Sequence, residues 1–366
     1  MYGDQGKQAQ AAKVYERALE VAETAFGPEA ESTLETVDSL GFVYKKQGRL
    51  VEAEQMYIRS LRGLEKLRGP EHTDTLYTIA LLGVVYRDQS KLADAETMLA
   101  RALEGLQRAL GPEHGNVLTV MIYIARLYLN QNKLADAERM YIRALEGSET
   151  AFGPEHWLTL YAVSEIGDLY RQQGKHADAE TMLIRALEGT QRAHGPEHPN
   201  TLFVVRNVAE LFEQVGKLAD AETMYRRAIE GCETALGPED IYTSLARLYT
   251  SQGKLAEAER LLKQELHGAE RAGDLFRIGG CFHNLGRVYV KGDRVDEAKV
   301  AWERALELYG QSEAAGVEKN VQIVRRNLEI LSSLERTSSA PISLNPQNPR
   351  SSRKRNLAFR LFGRRR

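Results

Sequence analysis

The chain has 366 residues, 43% of them hydrophobic and 27% charged, with a formal net charge of −2. These are ordinary values for a soluble protein, and the apolar runs fall far short of the roughly 18 residues that mark a membrane span. The polar opening MYGDQGKQAQ lacks the layout of a signal peptide, and the two distant cysteines, Cys232 and Cys281, form neither a disulfide framework nor a zinc pattern. An intracellular protein is expected, cytoplasmic before nuclear.

One unit is written many times along the chain. Gly-Pro-Glu begins at Gly27, Gly69, Gly111, Gly153, Gly195 and Gly237, each 42 residues after the last. A histidine follows at His72, His114, His156 and His198. The alanine of Lys-Leu-x-Asp-Ala-Glu recurs at Ala11, Ala53, Ala95, Ala137, Ala179 and Ala221, then at Ala258 and Ala298 after shortened steps of 37 and 40 residues.

In chain order, MYGDQGK aligns with the end of a first helix, so residues 1–28 read as a half repeat holding only the second helix, Ala9 to about Phe26. An array normally ends in a polar capping element, so this start reads as a fragment of a longer protein, or as a bare helix covered by another chain. Residues 29–310 read as seven helix pairs. Each first helix carries apolar residues at helical spacing, with Ser32, Asp74, Asn116 and Asn200 where an N-cap is wanted. Each second helix alternates large and small at fixed positions, as in Tyr57/Ser60, Leu99/Ala102, Tyr141/Ala144, Leu183/Ala186, Tyr225/Ala228 and Trp302/Ala305. That alternation lets two helices approach closely. Gly48, Gly174, Gly216 and Gly253 supply the turn inside a pair, and Gly-Pro ends the second helix. Residues 311–336 form a capping helix whose stripe is Val317, Val321, Val324, Leu328 and Leu331.

Leu-Gly or Leu-Ala, then Tyr, then Gly-Lys, then Ala-large-Ala resembles the tetratricopeptide (TPR) pattern. The 42-residue period with Gly-Pro-Glu-His linkers is similar to the kinesin light chain type of it. The resemblance covers residues 1 to 310. It implies an all-α, right-handed TPR superhelix (an α-solenoid) whose first helices line a concave groove. It also implies a protein-interaction scaffold, or the sensing part of a larger nucleotide-binding switch, or a cargo adaptor. Such repeats usually carry Asn before Leu-Ala; here only Asn207 and Asn284 keep it, and Ser39, Leu81, Tyr123, Glu165 and Ser244 replace it.

Carried onto this chain, the groove positions place Lys45, Arg87, Arg126, Arg171 and Arg206 in a basic strip, with Tyr77, Tyr161 and Phe203 beside it and Asn207 facing a peptide backbone. A guanidinium fork suits carboxylates, so the expected ligand is an acidic peptide or protein segment with an apolar anchor. Arg126 and Arg171 are expected to be exposed. The linker histidines belong to different repeats, whose layers lie roughly 8–10 Å apart, too far to share a metal. The chain shows no nucleophile elbow, zinc-protease helix or P-loop, so no enzyme, metal or cofactor is expected.

Residues 337–366 hold eight basic side chains and no acid, leaving −10 on residues 1–336. Arg353, Lys354 and Arg355, then Arg364, Arg365 and Arg366, flank two Phe and two Leu in a tail read as disordered. Import-receptor or weak membrane contact is expected of it, and no specific nucleic-acid binding.

Overall fold

The computed structural model describes residues 5–235, 239–312 and 317–338. Among the described residues there are sixteen helices and no strand. The chain divides into two compact units, Met1–Gly237 and Pro238–Arg366. That division falls inside the step from Ala221 to Ala258, where the repeat shortens from 42 to 37 residues.

The first unit opens with α1 (Gln5–Phe26), an unpaired second helix, four residues longer at its start than the sequence reading. Five pairs follow: α2 (Glu31–Lys46) with α3 (Leu50–Arg68), α4 (Thr73–Asp88) with α5 (Leu92–Leu110), and α6 (Gly115–Asn130) with α7 (Leu134–Phe152). Then come α8 (Trp157–Gln172) with α9 (His176–His194), and α10 (Pro199–Gln214) with α11 (Leu218–Ala235). The second unit holds α12 (Glu239–Gln252) with α13 (Leu255–Ala272), α14 (Leu275–Lys291) with α15 (Val295–Gln311), and α16 (Val317–Ser338). Val324 and Leu331 of α16 are buried beside Trp302 and Tyr309, as a capping stripe requires. Helix α16 takes in Thr337 and Ser338, which the sequence reading had assigned to the tail. The remainder of the tail, including Arg353, Lys354, Arg355, Arg364, Arg365 and Arg366, lies outside the described residues.

The loop histidines have a structural task that the sequence reading missed. His72, His114, His156 and His198 are the N-caps; each Nδ1 accepts the backbone N–H two residues on, at 3.2–3.3 Å. Asp74, Asn116 and Asn200 therefore sit inside the first turn, and Ala30 holds the cap position that Ser32 had been given. The hydroxyls of Thr33, Thr75, Thr159 and Thr201 donate to the carbonyls of Gly27, Gly69, Gly153 and Gly195 at 2.8–2.9 Å, closing the same loop from the other side. Inside the pairs, Gly48, Gly174, Gly216 and Gly253 take φ of 73–82°, the left-handed turn expected of them.

Every large/small pair read from the sequence is fully buried, from Tyr57 and Ser60 to Trp302 and Ala305. A second small residue sets the closest approach. Gly63, Gly105, Gly147, Gly189 and Gly231 face Leu34, Leu76, Leu118, Leu160 and Leu202 of their own first helices, and an added Cβ would lie 2.3–2.7 Å from a leucine methyl.

Successive pairs are clasped at one edge. Lys91, Lys133, Lys175 and Lys217 reach Glu54, Glu96, Glu138 and Glu180 of the preceding pair at 2.7–3.8 Å. Each ammonium also lies 4.9–5.4 Å from the centre of the ring five residues before it, Tyr86, Tyr128, Tyr170 or Phe212. Gln89, Gln131 and Gln173 donate to the same glutamates. One such exposed pair contributes about 0–1 kcal/mol, but every junction from α3 to α10 carries one.

Gly189→Ala is expected to destabilise the first unit by about 1–3 kcal/mol through overpacking against Leu160. Urea denaturation checks it, and Leu160→Ala in the same chain should recover part of the loss; full additivity of the two would contradict the socket.

Candidate functional site

Four successive first helices in the first unit turn charged side chains toward one another. Arg87 and Asp88 end α4, Arg126, Leu129 and Asn130 come from α6, Glu165, Asp168 and Arg171 from α8, and Phe203, Arg206, Asn207 and Glu210 from α10. Together they line a pocket of about 350 Å³. Six of the nine residues read from the sequence are thus brought together: Arg87, Arg126, Arg171, Arg206, Asn207 and Phe203. Tyr161 is not in the lining but stands next to it, its ring 6.4 Å from that of Phe203. Lys45 reaches the pocket through Asp88, 3.6 Å away. Tyr77 is not part of the lining and is directed to Tyr123.

The strip is not a bare row of cations. Arg126 donates from Nε and Nη2 to Glu165 at 2.9 and 3.2 Å, and the Tyr141 hydroxyl donates to the same carboxylate at 2.9 Å. Arg171 lies 2.5 Å from Asp168 and 3.0 Å from Glu210. Arg87 donates to Asp88, and Arg206 lies 4.0 Å from Glu210. Burial lowers the Lys45 ammonium below its ordinary pKa, against the pull of Asp88. The pocket therefore holds four guanidinium groups and four carboxylates.

Exposure corrects the reading further. The Arg126 side chain is 36% exposed, but that of Arg171 is 13% and Arg87 is 8% exposed as a residue. The reason was present in the same groove positions. Asp168 and Glu210 occupy the place in their helices that Arg126 occupies in its own, and Glu165 stands where the family pattern carries Asn. Side chains at these places from neighbouring repeats meet, so acids and bases pair across the groove. Asn207 keeps the family's amide, but its Nδ2 donates to Ser164 Oγ at 3.2 Å and its Oδ1 accepts from Arg206 at 3.4 Å. Arg126 and Arg206 lie over the rings of Tyr161 and Phe203, at 5.8 and 4.8 Å from their centres.

A second polar cluster lies between α2, α3 and α4. Asp38 accepts from the Thr78 hydroxyl at 3.1 Å, and Tyr57 Oη is buried without a hydrogen-bond partner. Burial pushes the Asp38 carboxyl from an ordinary 3.8 up to about 6, with Glu35 adding to the rise and Ser60 and Thr78 opposing it. In the second unit, burial and the Arg287 charge push His283 down to about 4, so its ring is neutral at pH 7. Burial pushes the Cys281 thiol up to about 12, which leaves it unreactive.

A pocket built by four consecutive helix pairs belongs to the class of helical-repeat scaffolds. Residues 1–66, 32–106, 75–150 and 158–234 match one family model described as Tetratricopeptide repeat, and further models of the same description match 124–188, 239–272 and 281–312. The chain belongs to the tetratricopeptide repeat family. No curated protein matches it. Among solved structures, the apo quorum sensor NprR from B. thuringiensis is similar with a TM-score of 0.60 and 17% identity, covering 82% of this chain and 83% of that one. A Rap protein complexed with competence and sporulation factor matches with a TM-score of 0.52 and 16% identity, over 88% and 98% of the two chains. A putative kinesin light chain with nearly identical TPR-like repeats from Podospora anserina matches with a TM-score of 0.44 and 19% identity, over 54% and 94% of the two chains. No helix among the described residues is long and apolar enough to cross a membrane.

Two outcomes are expected. Arg171→Glu places a third carboxylate between Asp168 and Glu210 and should cost the first unit about 3 kcal/mol or more. A denaturation midpoint equal to wild type would show the pairs to be solvated. For Asp38, the folded state keeps a proton between pH 4 and 6 that the unfolded chain has lost, so stability falls as pH rises through that window and the full penalty stands above it. Asp38→Asn should therefore raise the melting temperature at pH 7.5, for a gain of up to about 3 kcal/mol. That gain should vanish near pH 4, as melting curves across the range would show.

Proposed function

We propose that this chain is a non-enzymatic scaffold that binds an extended peptide or protein segment along the first helices of its first unit. The observation that carries the reading is the pocket itself: Arg87, Arg126, Arg171 and Arg206 converge from four successive repeats beside Phe203, so one extended segment crossing α4 to α10 meets all of them. An apolar side chain of the ligand seats against Phe203 and Tyr161.

An acidic residue in the ligand is the partner we assign to the guanidinium groups. It must compete with Glu165, Asp168 and Glu210, so it gains by exchange and not by neutralising a bare charge. Arg87 supports the assignment: it is 8% exposed, and its Nη1 is buried without an acceptor among the described residues. Recognition of this kind is a segment laid across a preformed polar groove with one apolar anchor. Two cysteines far apart in the sequence fit a reducing compartment, and we place the scaffold in the cytoplasm.

A random peptide library displayed on phage and selected on the whole chain tests the reading. Selected peptides should share an Asp or Glu near an aromatic or branched apolar residue. Their affinity should fall about tenfold or more on Phe203→Ala and on Arg206→Gln, which is the size expected for losing one anchor. Peptides without a carboxylate, or binding indifferent to both substitutions, would count against it.

A further inference from the structure

The groove carries an unmatched charge at its other end. Asp38 stands in α2 where α4, α6, α8 and α10 carry Ala80, Ile122, Ser164 and Arg206. One line of equivalent positions thus begins on a carboxylate and ends on a guanidinium group, with no charge between. Arg206 has Glu210 4.0 Å away. Asp38 has no basic partner among the described residues. Lys45, two turns on in α2, is held by Asp88 at 3.6 Å, and the charge that bears on Asp38 is that of Glu35, also an acid.

The cluster around Asp38 is held but not neutralised. Ser60 of α3 and Thr78 of α4 bond the carboxyl from two helices. Tyr57 is wholly buried beside it, its hydroxyl without a hydrogen-bond partner, and Tyr77 and Tyr123 close on the same point. Asp38, Tyr77 and Tyr123 are themselves only half-buried, so the cluster is reached from the groove. A carboxylate kept there without a counter-ion destabilises the empty protein, the kind of strain that is retained where a ligand relieves it.

We infer that this cluster is a second subsite of the groove and takes a primary ammonium of the bound segment, from a lysine side chain or the amino terminus. The inference rests on the function proposed above and adds a direction to it. An ammonium is compact and has three N–H donors. Passing Tyr77 and Tyr123, it sets its charge against Asp38 and a donor against the Tyr57 oxygen. With the carboxylate at the arginines and the ammonium at Asp38, the segment lies one way round only; reversed, both groups meet like charge. From α2 to α6 or α10 is two to four layers of roughly 8–10 Å, so about five to twelve extended residues separate ammonium from carboxylate.

Peptides selected on the whole chain, resynthesised with free and with acetylated amino termini, test it by titration calorimetry. Where the base is a lysine, it should fall on the same side of the acidic residue in every sequence. A loss of affinity on acetylation assigns the subsite to the amino terminus; a loss on replacing the peptide's lysine by norleucine assigns it to the side chain. Asp38→Asn and removal of that ammonium should each weaken binding about tenfold or more, and together no more than either alone. Asp38→Asn is expected to be at least as stable as wild type at neutral pH, so its loss is not one of folding. The groups facing Asp38 are Glu35 of α2, Ser60 and Tyr57 of α3 and Thr78 of α4, and none is a base. Affinity should therefore also fall as pH drops through about 6, where Asp38 takes up a proton, and Asp38→Asn should lose that dependence. Undiminished affinity in Asp38→Asn, or losses that add in full, would overturn the inference, while an acid–aromatic pair that still depends on Arg206 leaves the proposed function standing. Binding that needs the ammonium and Asp38 but no acidic residue would keep the subsite and remove that reading.

Discussion

How closely two helices of a pair can approach governs everything else in this chain. Glycine in the second helix receives a leucine from the first, while a tyrosine or leucine of the second helix lies beside a small residue one turn further along. Dense interiors do not tolerate an added methyl without moving a neighbour. Five such sockets in register fix the offset between helices of each pair and carry it, junction by junction, along the first unit. The lysine–glutamate clasps then hold one pair against the next at its edge, with the aromatic ring beneath each lysine limiting where the ammonium can go.

That regularity is what makes a composite pocket out of residues no single repeat could gather. Arg126, Arg171 and Arg206 come from different repeats, as do Glu165 and Glu210, yet their carboxylate and guanidinium groups meet within hydrogen-bond or ion-pair distance. An array departing from its period would set the helices at another offset and separate these groups. The single place where the period contracts sharply is the step containing the division between the two units, beyond the last helix that lines the pocket.

Much of the fold was legible because repetition turns weak local signals into a strong one. One Gly-Lys says little, but the recurring turn at Gly48, Gly174 and Gly216 could be read with its conformation. The site was half legible. Residue type and register pointed to Arg87, Arg126, Arg171 and Arg206, and the same register held Asp168 and Glu210. Reading one sign of charge without the other made a mixed network look like a basic strip. The histidine caps were missed for a different reason. Histidine is seldom an N-cap, and the neighbouring Asp74, Asn116 and Asn200 are the residue types that the rule favours. Only the backbone shows that helix starts fall one residue after each histidine.

The balance of four guanidinium groups against four carboxylates has a kinetic consequence. Opposite charges held a few ångströms apart form local dipoles whose field decays much faster with distance than that of a net charge. Little potential then extends beyond a Debye length from the pocket, and an approaching segment is not drawn in from afar. Encounter is left to diffusion and orientation at an ordinary rate, nearly indifferent to ionic strength. In the function proposed here, discrimination between segments falls to the lifetime of the complex, set by how well a carboxylate of the segment replaces Glu165, Asp168 or Glu210 beside Phe203.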